Sequence, residues 1–405
     1  AWYLKAARYV QQTNIKVAFV STNSISQGEQ TGILWNELFK NFGIKIHFAH
    51  RTFNWTNEAK GKAAVHVVII GFASFDTKKK SIWFYEDIKG EPKEIKASNI
   101  NGYLVNGQDV VLPKRRKPIC SVPEMNYGSM PNDGGNLVFN TNKKEAIINK
   151  DGRSARFIKK FVMGEELINN IERWALWIKE EDLKDIRDVN PIVEILQKVK
   201  DKRGASSRSA TNKLSSVPWR FGEVRQPNGS YIALPCVSSM RRNYIPITIL
   251  EKQVIAGNKV FSIDSTSGYV FGILTSSMHM SWMRYTTGRM KSDFNYSNSV
   301  VYNNYPWPKD PSAKNKKSVE SKAQQVLDVR AEFPESSLAD LYDPLTMPPK
   351  LVKAHQALDK AVDLCYRPQA FTNETGRIEY LFDLYNQYTA PLLQNEKKGK
   401  KKSSS

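Results

Sequence analysis

The first hundred residues alternate short apolar runs with amphipathic segments. Helical spacing of apolar residues predicts one helix over residues 1–10 and another over 33–42, which ends at Gly43. Strands are predicted where apolar, β-branched residues follow one another, at 15–20, 44–50 and 63–72. Such near-continuous hydrophobic strands are typical of a sheet with helices on both faces. The last two strands are joined by only about a dozen polar residues, so we expect an antiparallel hairpin that closes the sheet edge.

The middle and the end of the chain follow other patterns. Between residues 118 and 310, short β-like stretches alternate with turns and helical pieces, which predicts a mixed α+β domain. The strands expected there are 173–178, 231–234, 244–249, 260–263 and 269–274. A charged, proline-flanked linker at 307–317 precedes two or three amphipathic helices. The lysine- and serine-rich residues 396–405 predict a disordered tail.

Charge narrows the choice of partner. The 405 residues contain 60 Lys plus Arg against 40 Asp plus Glu, a formal net charge of +20. This surplus predicts attraction to a polyanion, and nucleic acid is the first candidate because each neutralised phosphate releases counterions. No apolar run approaches the roughly 18 residues of a membrane-spanning helix. The three cysteines lie far apart, which fits a reducing cytoplasm and argues against a zinc cluster or a disulfide framework.

A complete active site is not visible in the sequence. There is no phosphate-binding glycine loop, no Gly-x-Ser-x-Gly and no His-Glu-x-x-His. His47 and His50 lie three residues apart on a predicted strand, so they point to opposite faces and cannot share a metal. We therefore predict no catalytic residue in this chain. Because residue 1 is Ala and already belongs to a predicted helix, we expect the chain to be a fragment.

Two aromatic residues are candidates for contact with a base. Phe53 and Trp55 stand two apart in the polar segment between the last two predicted strands. They could simply cap the sheet edge. They could also form a stacking platform for an extruded base, which every enzyme that modifies a base inside a duplex needs.

Three basic clusters are candidates for contact with DNA. Between Lys198 and Arg225, eight basic residues face two acidic ones, with Ser, Thr and Asn interleaved, and residues 238–244 and 284–296 repeat this chemistry. One interpretation is a solvated face; the other is phosphate positioning and base reading. Arg242 is the candidate for reading guanine, unless it pairs with an acidic neighbour, and Met240 would face the same side of an extended strand and contact a thymine methyl. The predicted DNA-contacting residues are Arg203, Arg208, Lys213, Arg225, Met240, Arg241, Arg242, Arg289 and Lys291.

Several long strings of residues resemble one known family. They are similar to segments of the MmeI-like DNA methyltransferases, the type IIL restriction–modification enzymes and their relatives. The similar strings are 27–35, 48–55, 128–135, 221–227, 278–282, 301–308 and 337–348.

The resemblance implies a fold class and a domain order. The fold class is α/β: the C-terminal half of a class I, Rossmann-like methyltransferase sheet, then a mixed α+β target recognition domain and a small helical domain. With the predicted elements, it gives a methyltransferase part at 1–110, a recognition domain at 111–310, a helical domain at 318–395 and the tail at 396–405.

The resemblance also implies partners and chemistry. The methyl acceptor in the family is the exocyclic amine of adenine, and Phe53 or Trp55 corresponds to the loop that faces the flipped adenine. S-adenosylmethionine would be bound mainly by a preceding part of the methyltransferase domain, which would be a partner of this chain beside duplex DNA. Two alternatives stay open: a non-catalytic specificity subunit that works with a separate methyltransferase, and an RNA-binding module.

Overall fold

The structure is a computed structural model that describes residues 1–55, 65–85, 87 and 90–402, with side chains up to residue 390. The chain divides into two compact units. The first contains residues 1–122, 277–312 and those from 362 onward. The second contains residues 123–276 and 313–361.

Residues 1–122 form a five-stranded mixed sheet with two helices. The elements are α1 (Trp2–Tyr9), β1 (Val17–Thr22), α2 (Gly28–Phe42), β2 (Lys45–Trp55), β3 (Val65–Ala73), β4 (Lys80–Phe84) and β5 (Lys93–Ala97). The strand order is β1-β3-β2-β4-β5. β2 and β4 run parallel, and the other neighbours are antiparallel.

The predicted helices, strands and antiparallel hairpin of this region are confirmed, with two corrections. β2 continues to Trp55, so Phe53 and Trp55 lie on a strand, paired with Val67 and Val65, and not in a loop. The hairpin also does not close the edge, because β4 and β5 extend the sheet beyond β2. These two strands were not predicted, since each is only five residues long and β5 has charged residues at three of its five positions.

The core of the first unit explains why α2 has its place. Trp35 and Leu38 are fully buried on one face of this helix, and Trp35 Nε1 donates to Ile25 O at 2.9 Å. The helix ends at Gly43, whose φ of 59° lies in the left-handed region that favours glycine. Ile44 N then donates to Leu38 O, which closes the helix end and starts β2.

Residues 123–276 contain two small four-stranded sheets. The elements are β6 (Met125–Tyr127), β7 (Val138–Phe139), α3 (Thr141–Lys150), β8 (Ile158–Val162), α4 (Gly164–Asn169), β9 (Trp174–Leu176), α5 (Asn190–Gly204), α6 (Ser209–Lys213), β10 (Tyr231–Pro235), β11 (Val237–Ser238), β12 (Thr248–Leu250), β13 (Ile255–Ala256), β14 (Val260–Ile263) and α7 (Gly268–Leu274). One sheet has the order β12-β10-β14-β6 and the other β13-β8-β9-β7.

One predicted strand in this region is a helix. Residues 269–274 belong to α7, which begins after Ser267, whose hydroxyl accepts from Val270 N. Five consecutive residues of α7, from Val270 to Leu274, are buried. A short helix that is apolar all round has no amphipathic pattern, so it cannot be told from a buried strand by periodicity. The strands predicted at 231–234 and 260–263 are confirmed as β10 and β14.

The rest of the chain is mainly helical. The elements are α8 (Ser277–Thr286), β15 (Gly288–Met290), β16 (Asp293–Asn295), α9 (Ala313–Ala331), α10 (Leu338–Leu341), α11 (Pro349–Tyr366) and α12 (Glu374–Lys402). The backbone of α12 includes residues 396–402, where the sequence predicts a disordered tail, and residues 403–405 lie outside the described residues. The domain boundaries given in the sequence analysis were drawn from sequence pattern, whereas the two compact units are defined by packing. The units therefore do not test those boundaries, which stay a prediction.

Candidate nucleic-acid interface

A tight turn after β11 presents the residues predicted to read bases. Arg242 N donates to Ser239 O at 3.2 Å, so Met240 and Arg241 occupy the centre of a turn. The sequence-based interpretation placed Met240 and Arg242 on one side of an extended strand, which is wrong because successive turn residues do not alternate between two faces. The turn still projects Arg241, whose side chain is 60% exposed.

The residues around this turn are held by the segment 330–359 of the same unit. Arg241 Nη2 forms an ion pair with Asp343 at 3.1 Å. Behind it, Tyr244 donates to Asp359 at 2.8 Å and stacks on the ring of His355 at 4.0 Å. These contacts fix the turn and the residues that follow it to the segment 330–359.

The contacts of Tyr244 continue inward to the buried His355, whose imidazole is neutral. Its Nε2 lies 2.8 Å from Tyr342 Oη, and Arg330 bonds both Tyr342 Oη and Ile247 O. Burial, and then the charge of Arg330, hold the pKa of His355 well below its ordinary value. A neutral imidazole next to a buried guanidinium avoids a second buried cation.

The cluster between Lys198 and Arg225 consists, apart from Arg203, of exposed cations on α5, α6 and the loop that follows. Arg208, Lys213 and Arg220 are exposed, and the structure gives their side chains no ion pair among the described residues. Arg225 is exposed as well and pairs with Glu223 at 2.5 Å. Such side chains can turn toward a phosphate at little cost, because exposed ion pairs are weak.

Arg203 requires a correction, because it is not a surface cation. Its side chain is 1% exposed, and all five N–H groups donate to backbone carbonyl oxygens. The acceptors are Pro131 O, Asn132 O, Leu214 O, Val217 O and Arg220 O, at 2.8–3.2 Å. A guanidinium has five N–H donors, so none is left for a phosphate. The structure therefore leaves Arg203 no N–H for the predicted phosphate contact, and its hydrogen bonds hold the backbone in place.

An aromatic surface lies at the end of β2 and β4. The rings of Phe53 and Tyr85 stack with centroids 5.0 Å apart, and Trp55 lies 6.3 Å from Phe53 and is 45% exposed. His50 stacks on Trp83 at 4.7 Å, and its Nδ1 lies 3.0 Å from Tyr85 Oη. The sequence analysis missed Trp83 and Tyr85, although the apolar run 82–85 after the third strand was a usable signal.

The hairpin of β15 and β16 carries the last two predicted contacts. Lys291 is exposed in the turn, with a φ of 57°. Arg289 lies over the ring of Phe294, 3.9 Å from its centroid, and donates from Nη1 to Ser292 O at 3.3 Å. Its Nε is buried without a partner. Burial, and then the neighbouring Arg284, lower the pKa of Arg289 to about 10. The charge of Arg289 also contributes, after burial, to a lowered pKa of His66.

Other kinds of site find no support in the described residues. Among them, no three His, Cys, Asp or Glu side chains are grouped in a way that would hold a metal ion. None of the described helices is long and apolar enough to cross a membrane.

Models of one protein family match successive parts of the chain. The MmeI DNA-methyltransferase domain matches residues 1–85, the MmeI target recognition domain 106–309 and the MmeI C-terminal domain 311–393. Together these three matches cover most of the sequence in the order in which the elements occur.

Two relatives match over nearly the whole chain. "DNA methyltransferase A" of Bacillus subtilis (strain 168) is 41% identical over 390 residues, which are 96% of this chain and 43% of that protein. The solved structure of the type IIL restriction–modification enzyme MmeI in complex with DNA is similar with a TM-score of 0.85 and 46% identity, over 96% of this chain and 52% of MmeI. The chain therefore spans about half the length of the relatives it matches.

Proposed function

The chain belongs to the MmeI family, and from this premise we propose that it recognises duplex DNA within a site-specific DNA methyltransferase of the restriction–modification type. The observation that carries the proposal is the turn 239–243, which presents the exposed Arg241 and is braced by Tyr244 against His355 and Asp359. A side chain that reads a base edge must be aimed by a rigid flank, and arginine reads guanine in the major groove through two parallel hydrogen bonds.

The exposed cations would position this turn on the duplex. Arg208, Lys213, Arg225 and Lys291 would contact phosphates, which fix register and carry no sequence information. Arg241, Arg242 and Met240 would contact base edges. Arg241 must exchange Asp343 for its DNA partner, and the cost is small because both side chains are exposed in the free protein.

The methyl acceptor in this proposal is the exocyclic amine of adenine, and the aromatic surface around Phe53 would hold the extruded base. Phe53 stacks on Tyr85 and lies next to Trp55, so the three rings form one cluster with the exposed Trp55 at its edge. A base held against aromatic rings loses the freedom to restack in the duplex, so the contribution of these residues is positioning.

The methyltransferase family implies S-adenosylmethionine as the methyl donor, and we propose that it is bound mainly by a part of the methyltransferase domain outside this chain. We therefore expect calorimetry to detect no S-adenosylmethionine binding by this chain, and we assign none of its residues to the donor.

Selection of binding sites from a random duplex pool tests the proposal. We expect the chain to enrich one defined sequence that contains an adenine, and to bind it more tightly than a scrambled duplex at fixed salt. Enrichment of no sequence, or tighter binding of double-stranded RNA than of DNA, would contradict it, because A-form grooves do not present the same base edges.

A further inference from the structure

A cleft of about 740 Å³ in the second unit has no role in the function proposed above. Its volume lies within the range of pockets that bind small molecules. Aromatic and charged side chains make up half of its lining: Trp177, Trp219 and Phe221, with Lys159, Lys179, Arg220, Lys252 and Glu180. Four cations and one carboxylate give the rim a net charge of +3.

One wall of the cleft is an irregular loop that Arg203 holds in place. The loop 214–221 carries Trp219 and Arg220 into the lining. Arg203 Nη1 donates to Leu214 O and Val217 O, and its Nη2 donates to Arg220 O at 2.8 Å. Residues 214–216 form a short 3-10 helix and the rest of the segment is irregular, so the guanidinium adds hydrogen bonds that hold this wall in one conformation.

The opposite wall is fixed in a similar way by Gln226. Its Nε2 donates to Val254 O at 2.9 Å, and its Oε1 accepts from Ala256 N at 3.1 Å. Tyr231 Oη donates to the same Val254 O at 2.7 Å. The segment 252–256, which brings Lys252 to the rim, is therefore held on both sides, and the cleft is formed before any ligand arrives.

The floor of the cleft is aromatic and accessible. Phe221 is buried and meets the ring of Trp177 edge to face at 4.8 Å. Trp177 and Trp219 are only half-buried, so parts of both indoles face the open cleft. Accessible indole faces accept planar rings, and cations beside them accept a phosphate. Lys179 has a carboxylate partner, Glu181, at 3.4 Å, so Arg220 and Lys252 are the better placed cations.

We infer that this cleft binds one unpaired nucleotide, with its base on the indole floor and its phosphate at the cationic rim. A free mononucleotide and a nucleotide of an unpaired DNA strand share this chemistry. The inference does not depend on the proposed reading of duplex DNA, since the cleft lining includes none of the turn residues 239–243.

Quenching of tryptophan fluorescence in the full chain tests the inference, with thymidine monophosphate, thymidine, inorganic phosphate and a short oligothymidylate as ligands. We expect saturable quenching by the monophosphate, and binding about tenfold weaker for thymidine, which lacks the charge. Tighter binding of the oligothymidylate would identify a DNA strand as the source, and equal binding would identify the free nucleotide.

Variants separate the two halves of the site. Trp219→Leu removes a stacking ring, and we expect the affinity for the monophosphate to fall about tenfold. Arg220→Gln removes an exposed charge, and we expect a loss of about two- to fivefold for the monophosphate and none for thymidine. A role of Arg220 in folding alone would not distinguish these two ligands.

Matched controls lie in the first unit. Trp2→Leu removes an indole that is 71% exposed on α1, and Lys40→Gln removes an exposed charge on α2, so both should leave nucleotide affinity unchanged. The inference fails if the wild type shows no saturable quenching by the monophosphate. It also fails if Trp219→Leu and Trp2→Leu behave alike, or if an oligoglutamate competes as well as the nucleotide.

Discussion

Arg203 in the second unit and Arg289 in the first both have a guanidinium that is shielded from solvent. The two residues differ in the groups that surround this guanidinium. Every N–H of Arg203 donates to a backbone carbonyl. Arg289 has one long hydrogen bond at 3.3 Å, an aromatic ring beneath it and a buried Nε without a partner. The first arrangement satisfies the charged group completely, and the second leaves it short of acceptors.

The difference distinguishes a structural arginine from a candidate binding arginine. Asp293 and Glu374 attract Arg289, but burial disfavours a guanidinium with an unpartnered N–H, so an acceptor from outside would stabilise it. The ring of Phe294 holds the guanidinium in place, and the charge of the guanidinium helps to lower the pKa of the nearby His66. A DNA phosphate would supply the missing acceptor, whereas Arg203 has no donor to offer it.

Removal of Arg203 should have the largest effect, on stability. Arg203→Met removes five hydrogen bonds to backbone carbonyls, and only Pro131 O, Leu214 O and Val217 O keep a backbone N–H donor. We expect the free energy of unfolding to fall by about 3–5 kcal/mol. Urea denaturation followed by circular dichroism measures this. The exposed Arg208→Met is the control and should change stability by less than about 0.5 kcal/mol. Equal effects of the two variants would remove the basis of the comparison.

Removal of Arg289 should leave stability within about 1 kcal/mol of wild type, because an under-satisfied buried charge is lost. Arg289→Gln should instead weaken DNA binding by about tenfold, as expected for a charge-assisted hydrogen bond. Duplexes in which one phosphate is replaced by an uncharged methylphosphonate locate the contact. Replacement of the phosphate that Arg289 contacts should weaken binding by the wild type and leave binding by Arg289→Gln unchanged. The exposed Arg116→Gln is the control. If every methylphosphonate that weakens binding by the wild type also weakens binding by Arg289→Gln, Arg289 does not contact one specific phosphate.

Arg242 lies in the braced turn and should affect specificity more than affinity. Arg242→Ala should relax the preference at one base pair by about 1–3 kcal/mol and keep the preference at the others. Site selection with both proteins measures this. A uniform loss at all positions would show that Arg242 acts as a phosphate contact or supports the turn.

Lys213 is exposed and should show the smallest effect, a change in the salt dependence of binding. Lys213→Gln should weaken all duplexes about equally and reduce the slope of log affinity against log salt by about one unit. Titrations at several salt concentrations give the slope. The same titrations of Arg203→Met should leave the slope unchanged, and a reduced slope there would show that Arg203 does contact DNA.

The sequence predicts the long elements better than the short ones for a physical reason. β3 and α2 have long apolar patterns whose period identifies the element. β4, β5 and α7 are short, so side-chain patterning over five to seven residues does not separate helix, strand and loop. Only tertiary packing decides these segments.

The sequence predicts which basic residues are exposed in the candidate interface, but it does not predict their contacts with distant parts of the chain. Charge clusters identified the exposed Arg208, Lys213 and Lys291, which local sequence determines. The burial of Arg203 depends on carbonyls from residues 131–132, which are about seventy positions away and have no pattern in sequence. The ion pair of Arg241 with Asp343 spans 102 positions and is equally invisible.

That ion pair also bears on how binding specificity can be exchanged between relatives. The segment matched by the target recognition model ends at residue 309, but Asp343, His355 and Asp359 lie within the segment matched by the next model. A graft of 106–309 alone would separate the turn from the residues that brace it. New specificities should therefore be inherited, or engineered, as a co-adapted pair: the turn with residues 330–359.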